Sequence, residues 1–276
     1  MPRGLNRTGN FSSGTPITLP HEFGNPVTLP KDFGNKVTWT PDPAHFGNVI
    51  GGGPTPPPPA PAPTFVQQQM AFDGSSSGQT TDIVFSAPAT AGNSLTVFVT
   101  VQNSKTLTSI SDTALNTYTL VRGPDVVVGA GGTANTYVYK CAVVSGAPTT
   151  ITLHTGSPIN QGPTLACVVE TTAGTVDTTV SNTATFTTGA DIDGGAVVAS
   201  ASDLLLLFAF YANGGGSPQF QAGTGWTLVG QLRDTSFIGE CLGLERQTVS
   251  AGSTEAFVKI SASAGNGIIT TVALKG

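Results

Sequence analysis

Asp203-Leu204-Leu205-Leu206-Leu207-Phe208-Ala209-Phe210-Tyr211, closed by Ala212, holds the longest apolar run of this 276-residue chain. Such a run suits one buried β-strand and falls far short of the roughly 18 apolar residues that a membrane-crossing helix needs. It has a counterpart 109 positions earlier, where Ser94-Leu95-Thr96-Val97-Phe98 falls on Asp203-Leu204-Leu205-Leu206-Leu207. The same shift puts Asp82-Ile83 on Asp191-Ile192 and Asn116-Thr117-Tyr118-Thr119-Leu120-Val121 near Gly225-Trp226-Thr227-Leu228-Val229. Further on the shift slips by a few residues. Val144-Ser145-Gly146-Ala147-Pro148-Thr149 then matches Val249-Ser250-Ala251-Gly252-Ser253-Thr254, and Leu165 to Glu170 matches Ile268 to Ala273. Self-similarity of this extent marks a duplicated module.

Around these segments, short runs rich in Val, Thr, Ile and Tyr recur between Gly, Asn, Pro and Ser clusters. They are Ser94–Val101, Asn116–Val121, Thr136–Val144, Thr149–His154, Leu165–Thr171, Val197–Ser202, Asp203–Tyr211, Trp226–Gln231, Gly239–Glu245, Glu255–Ser261 and Ile268–Leu274. Runs of this kind predict antiparallel strands with turns, and no helical period competes with them. Each half supplies four or five strands on this reading, too few to cover both faces of a sheet. Residues 64–276 are therefore expected to form one all-β, antiparallel β-sandwich of jelly-roll or Ig-like style, with halves at about 80–175 and 189–276. Two separate Ig-like domains are the alternative, but only Gly189 to Gly195 is available as a linker.

The chain before residue 64 differs in composition and holds 14 of the 20 prolines. Residues 1–50 carry a repeat: Ile17-Thr18-Leu19-Pro20-His21-Glu22-Phe23-Gly24-Asn25, then Val27-Thr28-Leu29-Pro30-Lys31-Asp32-Phe33-Gly34-Asn35. A degenerate third copy runs from Val37-Thr38-Trp39 to Phe46-Gly47-Asn48. Each copy joins an extended start, a helix-blocking Pro or Thr-Pro, an aromatic and a Gly-Asn turn. Units this short cannot bury their own apolar residues. Leu19, Phe23, Leu29, Phe33, Trp39 and Phe46 are accordingly candidates for anchoring an extended arm in pockets of a partner, with strand addition to the partner's edge. An arm packed on its own domain is the competing reading. Residues 51–63, three glycines followed by a Pro-rich tract, read as a hinge and a polyproline spacer spanning on the order of 30 Å.

Charge and cysteine narrow the function classes. Charged residues make up 10% of the chain, net charge is −5, and there are 11 Lys and Arg. That balance disfavours nucleic acid as a ligand, because phosphate neutralisation needs clustered cations. Cys141, Cys167 and Cys241 have apolar neighbours and read as buried thiols, with a Cys141–Cys167 bridge as the alternative. No apolar segment follows Arg3 and Arg7, so a secretory signal is not expected.

Several strings together resemble a known group. These are Asn93-Ser94-Leu95-Thr96-Val97, Ser109-Ile110-Ser111-Asp112 with Asn116-Thr117-Tyr118-Thr119-Leu120, Val144-Ser145-Gly146, Ala201-Ser202-Asp203-Leu204-Leu205, Gly225-Trp226-Thr227-Leu228 and Val272-Ala273-Leu274-Lys275. The pattern is similar to β-sandwich modules of tailed-bacteriophage virion proteins (head fibre, decoration, tail) and of bacterial surface proteins. The resemblance covers about residues 80–276 and implies a sandwich fold, with no catalytic residues to carry over.

A search for chemistry yields little. Gly74-Ser75-Ser76-Ser77-Gly78 matches a nucleophile-elbow string but lacks the strand-to-helix setting. His154 is the one histidine after residue 64, and nothing in the sequence pairs with it. Asp191 and Asp193 beside Gly194 read as turn chemistry, since the further ligands of a calcium loop are missing. Trp226, Tyr118, Tyr137 and Tyr211 are the aromatics available to a sugar, though core packing suits Trp226 and Tyr118 better. The expectation is therefore non-enzymatic, with no cofactor and no metal. It is a structural virion protein, assembled in the host cytoplasm and displayed on the virion surface. Its partners would be other virion proteins of a capsid or tail lattice, and the protein itself a homo-oligomer, with a trimer favoured. A carbohydrate-binding or host-adhesion module, with a cell-surface glycan as ligand, is the alternative.

Overall fold

The computed structural model describes residues 60–74, 79–103, 105–129, 132–156, 162–212, 219–233, 240–261 and 264–276. These contain sixteen strands and no helix. In the first half, β1 (Phe65–Asp73), β8 (Thr164–Thr171), β3 (Ser94–Gln102), β6 (Gly132–Cys141) and β5 (Thr119–Gly129) form a five-stranded sheet in that spatial order. Opposite it lie β2 (Thr80–Val84), β7 (Thr150–Gly156) and β4 (Thr106–Asp112). The second half repeats the plan with β9 (Thr175–Phe186), β16 (Gly265–Lys275), β11 (Asp203–Tyr211), β14 (Cys241–Val249) and β13 (Thr227–Arg233). Its three-stranded sheet is β10 (Ile192–Ala199), β15 (Gly252–Ile260) and β12 (Phe220–Ala222). Adding eight to each strand number of the first half yields the second in both sheets, and neighbouring strands pair antiparallel throughout. The winding is that of a jelly roll whose fifth strand has moved to the edge of the larger sheet. The fold is thus a duplicated antiparallel β-sandwich.

Each half holds eight strands rather than four or five. The strands added are polar ones: β1 carries three consecutive glutamines, β4 reads Thr-Leu-Thr-Ser-Ile-Ser-Asp, and β9 contains five threonines. With eight strands, a half closes its own core. Ile83, Leu95, Val97, Ile151, Leu153 and Val168 fill the space between the two sheets of the first half. Phe186, Leu205, Leu207, Phe220, Trp226 and Val258 do so in the second. A third core, with Phe98, Leu165, Leu206, Phe208, Leu242 and Leu274, joins the two five-stranded sheets to each other. The four sheets therefore stack as three, five, five and three strands.

In this stack β3, β8 and β11 are buried along their whole length. Their side chains point alternately into two different cores, so the residue alternation that marks a half-wet strand disappears. The shift of 109 read from the sequence is consequently one residue out in β3. Leu95 faces the core of its own half, whereas Leu204 faces the core between halves. A shift of 110 matches face to face and brings Phe98 onto Phe208, whose rings stack at an interplanar angle of 18° between the halves. A slip of one residue exchanges the faces of a strand, which is why the parity matters.

Residues Pro58–Gly276 form one compact unit, which begins inside the Pro-rich tract. Pro63 is buried beside Gly174, and Pro61 runs past Gly276. Residues 61–63 thus lie next to the junction of the two halves. Replacing Phe208 by Ala should cost about 3–5 kcal/mol. Val128→Ala, at an exposed site, should stay within about 0.5 kcal/mol. In urea, circular dichroism and Trp226 fluorescence, read in a Trp39→Phe background, should report one coincident transition in the Phe208→Ala protein. Two separated transitions would mean that the central core does not couple the halves.

Candidate functional site

The most elaborate polar construction in the described residues closes one end of the first half. Asp112 ends β4, and its carboxylate accepts the Ala114 N–H at 2.9 Å and the Asn116 N–H at 3.1 Å. It also accepts Asn116 Nδ2 at 2.8 Å and the Tyr118 hydroxyl at 2.7 Å. Burial acts to raise the Asp112 pKa, but these donors outweigh it and hold the group below the ordinary carboxylate range. Burial, reinforced by the same contact, pushes the Tyr118 hydroxyl far above its usual range.

Asn116 then binds the next connection. Its Oδ1 accepts the Ser145 N–H at 2.7 Å and the Ser145 hydroxyl at 2.9 Å. The β6–β7 connection is in turn tied to the β2–β3 connection by main-chain bonds. Phe85 N–H donates to Thr149 O, Ala89 N–H to Pro148 O and Gly92 N–H to Val144 O, each at 2.9 Å, and Val144 N–H donates to Asn93 O at 2.7 Å. Thr90 N–H and Asn93 Nδ2 reach the buried Glu170 carboxylate at 2.8 and 2.6 Å. Three loops from different parts of the chain are fused into one rigid end.

On this end stand large apolar side chains open to solvent: Leu115 at 89% exposure, Val143 at 64% and Val84 at 57%. Leu115 has a φ of 59°, a left-handed conformation that costs a bulky L-residue about 1–3 kcal/mol. The hydrogen bonds flanking it, from Ala114 and Asn116 to Asp112, hold that conformation. A strained backbone that presents an exposed leucine on a hydrogen-bonded base is a contact point in form. It offers apolar contact area and no titrating group. In the sequence, the string from Ser109 to Leu120 entered only a resemblance of fold, and nothing in it singled out Leu115.

The other sequence candidates fall as follows. Leu19, Phe23, Leu29, Phe33, Trp39 and Phe46 lie outside the described residues, as do Ser75, Ser76, Ser77 and Gly78. His154 does have a partner: its Nε2 lies 2.8 Å from Ser111 Oγ. The pair sits on the outward face of β7 and β4, and among the described residues no carboxylate bonds the ring. Asp191 accepts Thr224 N–H at 3.1 Å and its hydroxyl at 2.8 Å, while Asp193 accepts Gly195 N–H at 2.7 Å. Both are loop-fixing bonds. Among the described residues no group of three or more His, Cys, Asp or Glu is placed to hold a metal ion.

Trp226 is 6% exposed and donates its indole N–H to Glu255 O at 3.2 Å. Tyr211 and Tyr137 are buried, and Tyr118 is half-buried against the core of the first half. The three cysteines are buried free thiols, and β3 separates Cys141 on β6 from Cys167 on β8.

No protein-family model, no curated protein and no solved structure matches this chain.

The network around Asp112 has a measurable consequence. Asp112→Ala should lower stability by about 1–3 kcal/mol, because four donors lose their acceptor. Leu115→Gly should leave stability unchanged or raise it by up to about 1 kcal/mol, since glycine adopts the conformation freely. Thermal melts check both. An unchanged midpoint for Asp112→Ala would show that the loop end does not depend on that carboxylate.

Proposed function

We propose that this chain is a non-enzymatic structural virion protein of a tailed phage, a head fibre or decoration protein held by its N-terminal arm while the duplicated sandwich projects outward. One observation carries the reading: three matched apolar-aromatic repeats precede a Pro-rich tract and then a folded unit of unrelated composition. Repeats of about ten residues that cannot bury their own Leu and Phe suit equivalent pockets on a lattice. Linking them raises the effective concentration of each after the first has docked, so weak single contacts add up to firm attachment. The rigid loop end with Leu115, Val143 and Val84 suits display, because loops held by a scaffold are where contacts with other molecules are made.

Removing residues 1–50 should leave the sandwich folded and abolish co-sedimentation with particles. Replacing Phe23, Phe33 and Phe46 by Ala should weaken attachment stepwise, by comparable factors for each. Truncated protein that still co-sediments would contradict the anchoring role. Indifference to all three replacements would favour an arm packed on its own domain.

A further inference from the structure

We propose that the second half is built to keep a proton in its core, on the carboxyl group of Glu245, and that losing this proton destabilises that core.

The geometry begins with strand register. Glu245 lies in β14 between Leu207 of β11 and Leu228 of β13, and it is completely buried. Cys241 and the C-terminal Trp226 of the turn belong to the core on that side of the sheet. One carboxyl oxygen, Oε2, accepts the Gly223 N–H at 3.1 Å, and the other, Oε1, has no partner among the described residues. Gln247, two residues along the same face of β14, also has an unpartnered buried Oε1. An ionised carboxylate requires several donors to replace the water it loses, and here it has one.

The first half handles the same problem differently. Its buried acid, Glu170, accepts Gln67 Nε2 at 2.6 Å as well as Thr90 N–H and Asn93 Nδ2. Two halves of one duplicated fold thus hold a buried carboxyl group in opposite ways, one with three donors and one with a single donor.

The charged surroundings of Glu245 add to the effect of burial. Asp191, ahead of β10, faces it and disfavours a second negative charge. Lys259 of β15 lies 3.7 Å from Asp191 and answers that charge. Arg246, the next residue of β14, points to the opposite face over the Phe65 ring, and Arg233 at the end of β13 lies toward Cys241. Glu255 of β15 is exposed on the far side of its sheet. Burial first, then Asp191, pushes Glu245 up to about 7. Asp203, buried at the start of β11, is pushed up to about 6 by burial and by Asp177.

The sign follows from linkage. A carboxyl group whose folded pKa exceeds its unfolded value stabilises the fold at low pH, and that contribution is lost as pH rises through the folded value. For Glu245 the loss runs from its ordinary 4.5 up to about 7. Asp112 and Asp177, both held low, act only below the ordinary carboxylate range, and Lys140, lowered to about 8, acts above it. Between pH 5 and 7.5, Glu245 and Asp203 both lower stability as pH rises.

The test uses the full chain, with urea unfolding at pH 5 and pH 7.5 for wild type and Glu245→Gln. Between these pH values the wild-type unfolding constant should rise roughly fiftyfold from Glu245 alone. Glu245→Gln should lose that part of the rise and keep only the smaller part due to Asp203, which Asp203→Asn removes. Amide exchange in β11, β13 and β14 should speed up with pH beyond its intrinsic dependence in wild type, and less so in Glu245→Gln. Equal pH slopes in wild type and Glu245→Gln would overturn the proposal. Should Glu245→Gln fail to fold, the side-chain carboxyl carbon of Glu245 is titrated by NMR in the wild-type chain. A midpoint near 7 supports the proposal, and one in the ordinary carboxylate range overturns it.

Discussion

Two β-sheets buried on both faces hold this molecule together. The five-stranded sheet of each half is covered on one side by its own three-stranded sheet and on the other by the partner half. A strand in that position has no face to give to water, so β3, β8 and β11 have no exposed residue. Some of the polar groups there find partners inside. Lys140 Nζ donates to Ser94 Oγ at 2.7 Å, and Ser94 and Thr171 share a bond at 3.0 Å. Burial lowers Lys140 to about 8, the electrostatic cost of placing an amine within the stack. The low charge content of the chain follows in part from this layering, which leaves mainly loops, edges and two outer sheet faces to carry charge.

Duplication supplied the stack, and the two copies have since diverged at their polar positions. The aromatic pair Phe98 and Phe208 still meets like with like between the halves. Away from it the first half surrounds two of its buried acids with donors: Asp112 takes four and Glu170 three. In the second half, an indole at Trp226 stands where the first has Tyr118, and Glu245 is left with one donor. Phe220, on the three-residue β12, is seated against β14 at Gly243, where a Cβ would lie 2.6 Å from its ring. One copy carries a hydrogen-bonded loop end under an exposed leucine, and the other a buried carboxyl group with a single donor.

The sequence displayed the strongly apolar part of this plan and hid the polar part. Asp203–Tyr211 was legible to the residue, and the duplication with its turns was visible in the Ser94 and Asn116 segments. The edge and outer strands β1, β4 and β9 were not, because Gln, Thr and Ser there serve backbone pairing and a wet face without apolar alternation. The parity of β3 against β11 was lost for the opposite reason. A strand buried on both sides shows no alternation to count. Asp112, Asn116, Tyr118 and Ser145 stood in recognisable strings, but their convergence on one carboxylate is a property of three loops meeting, which no single segment encodes. The anchoring residues Leu19 to Phe46 rest on the repeat alone.

Whether the doubly covered sheets are the basis of stability is decided by separating them. Residues 60–174 and 175–276 would be produced as two pieces and examined by circular dichroism, urea unfolding and sedimentation, alone and mixed. Each piece alone leaves one face of its five-stranded sheet bare, including Leu165 and Phe98 in one and Leu206, Phe208 and Leu274 in the other. Neither should give a cooperatively folding monomer, and mixing should restore a one-to-one complex with the unfolding transition of the whole chain. A soluble single piece that unfolds cooperatively as a monomer would contradict this, since its own two-sheet core would then suffice.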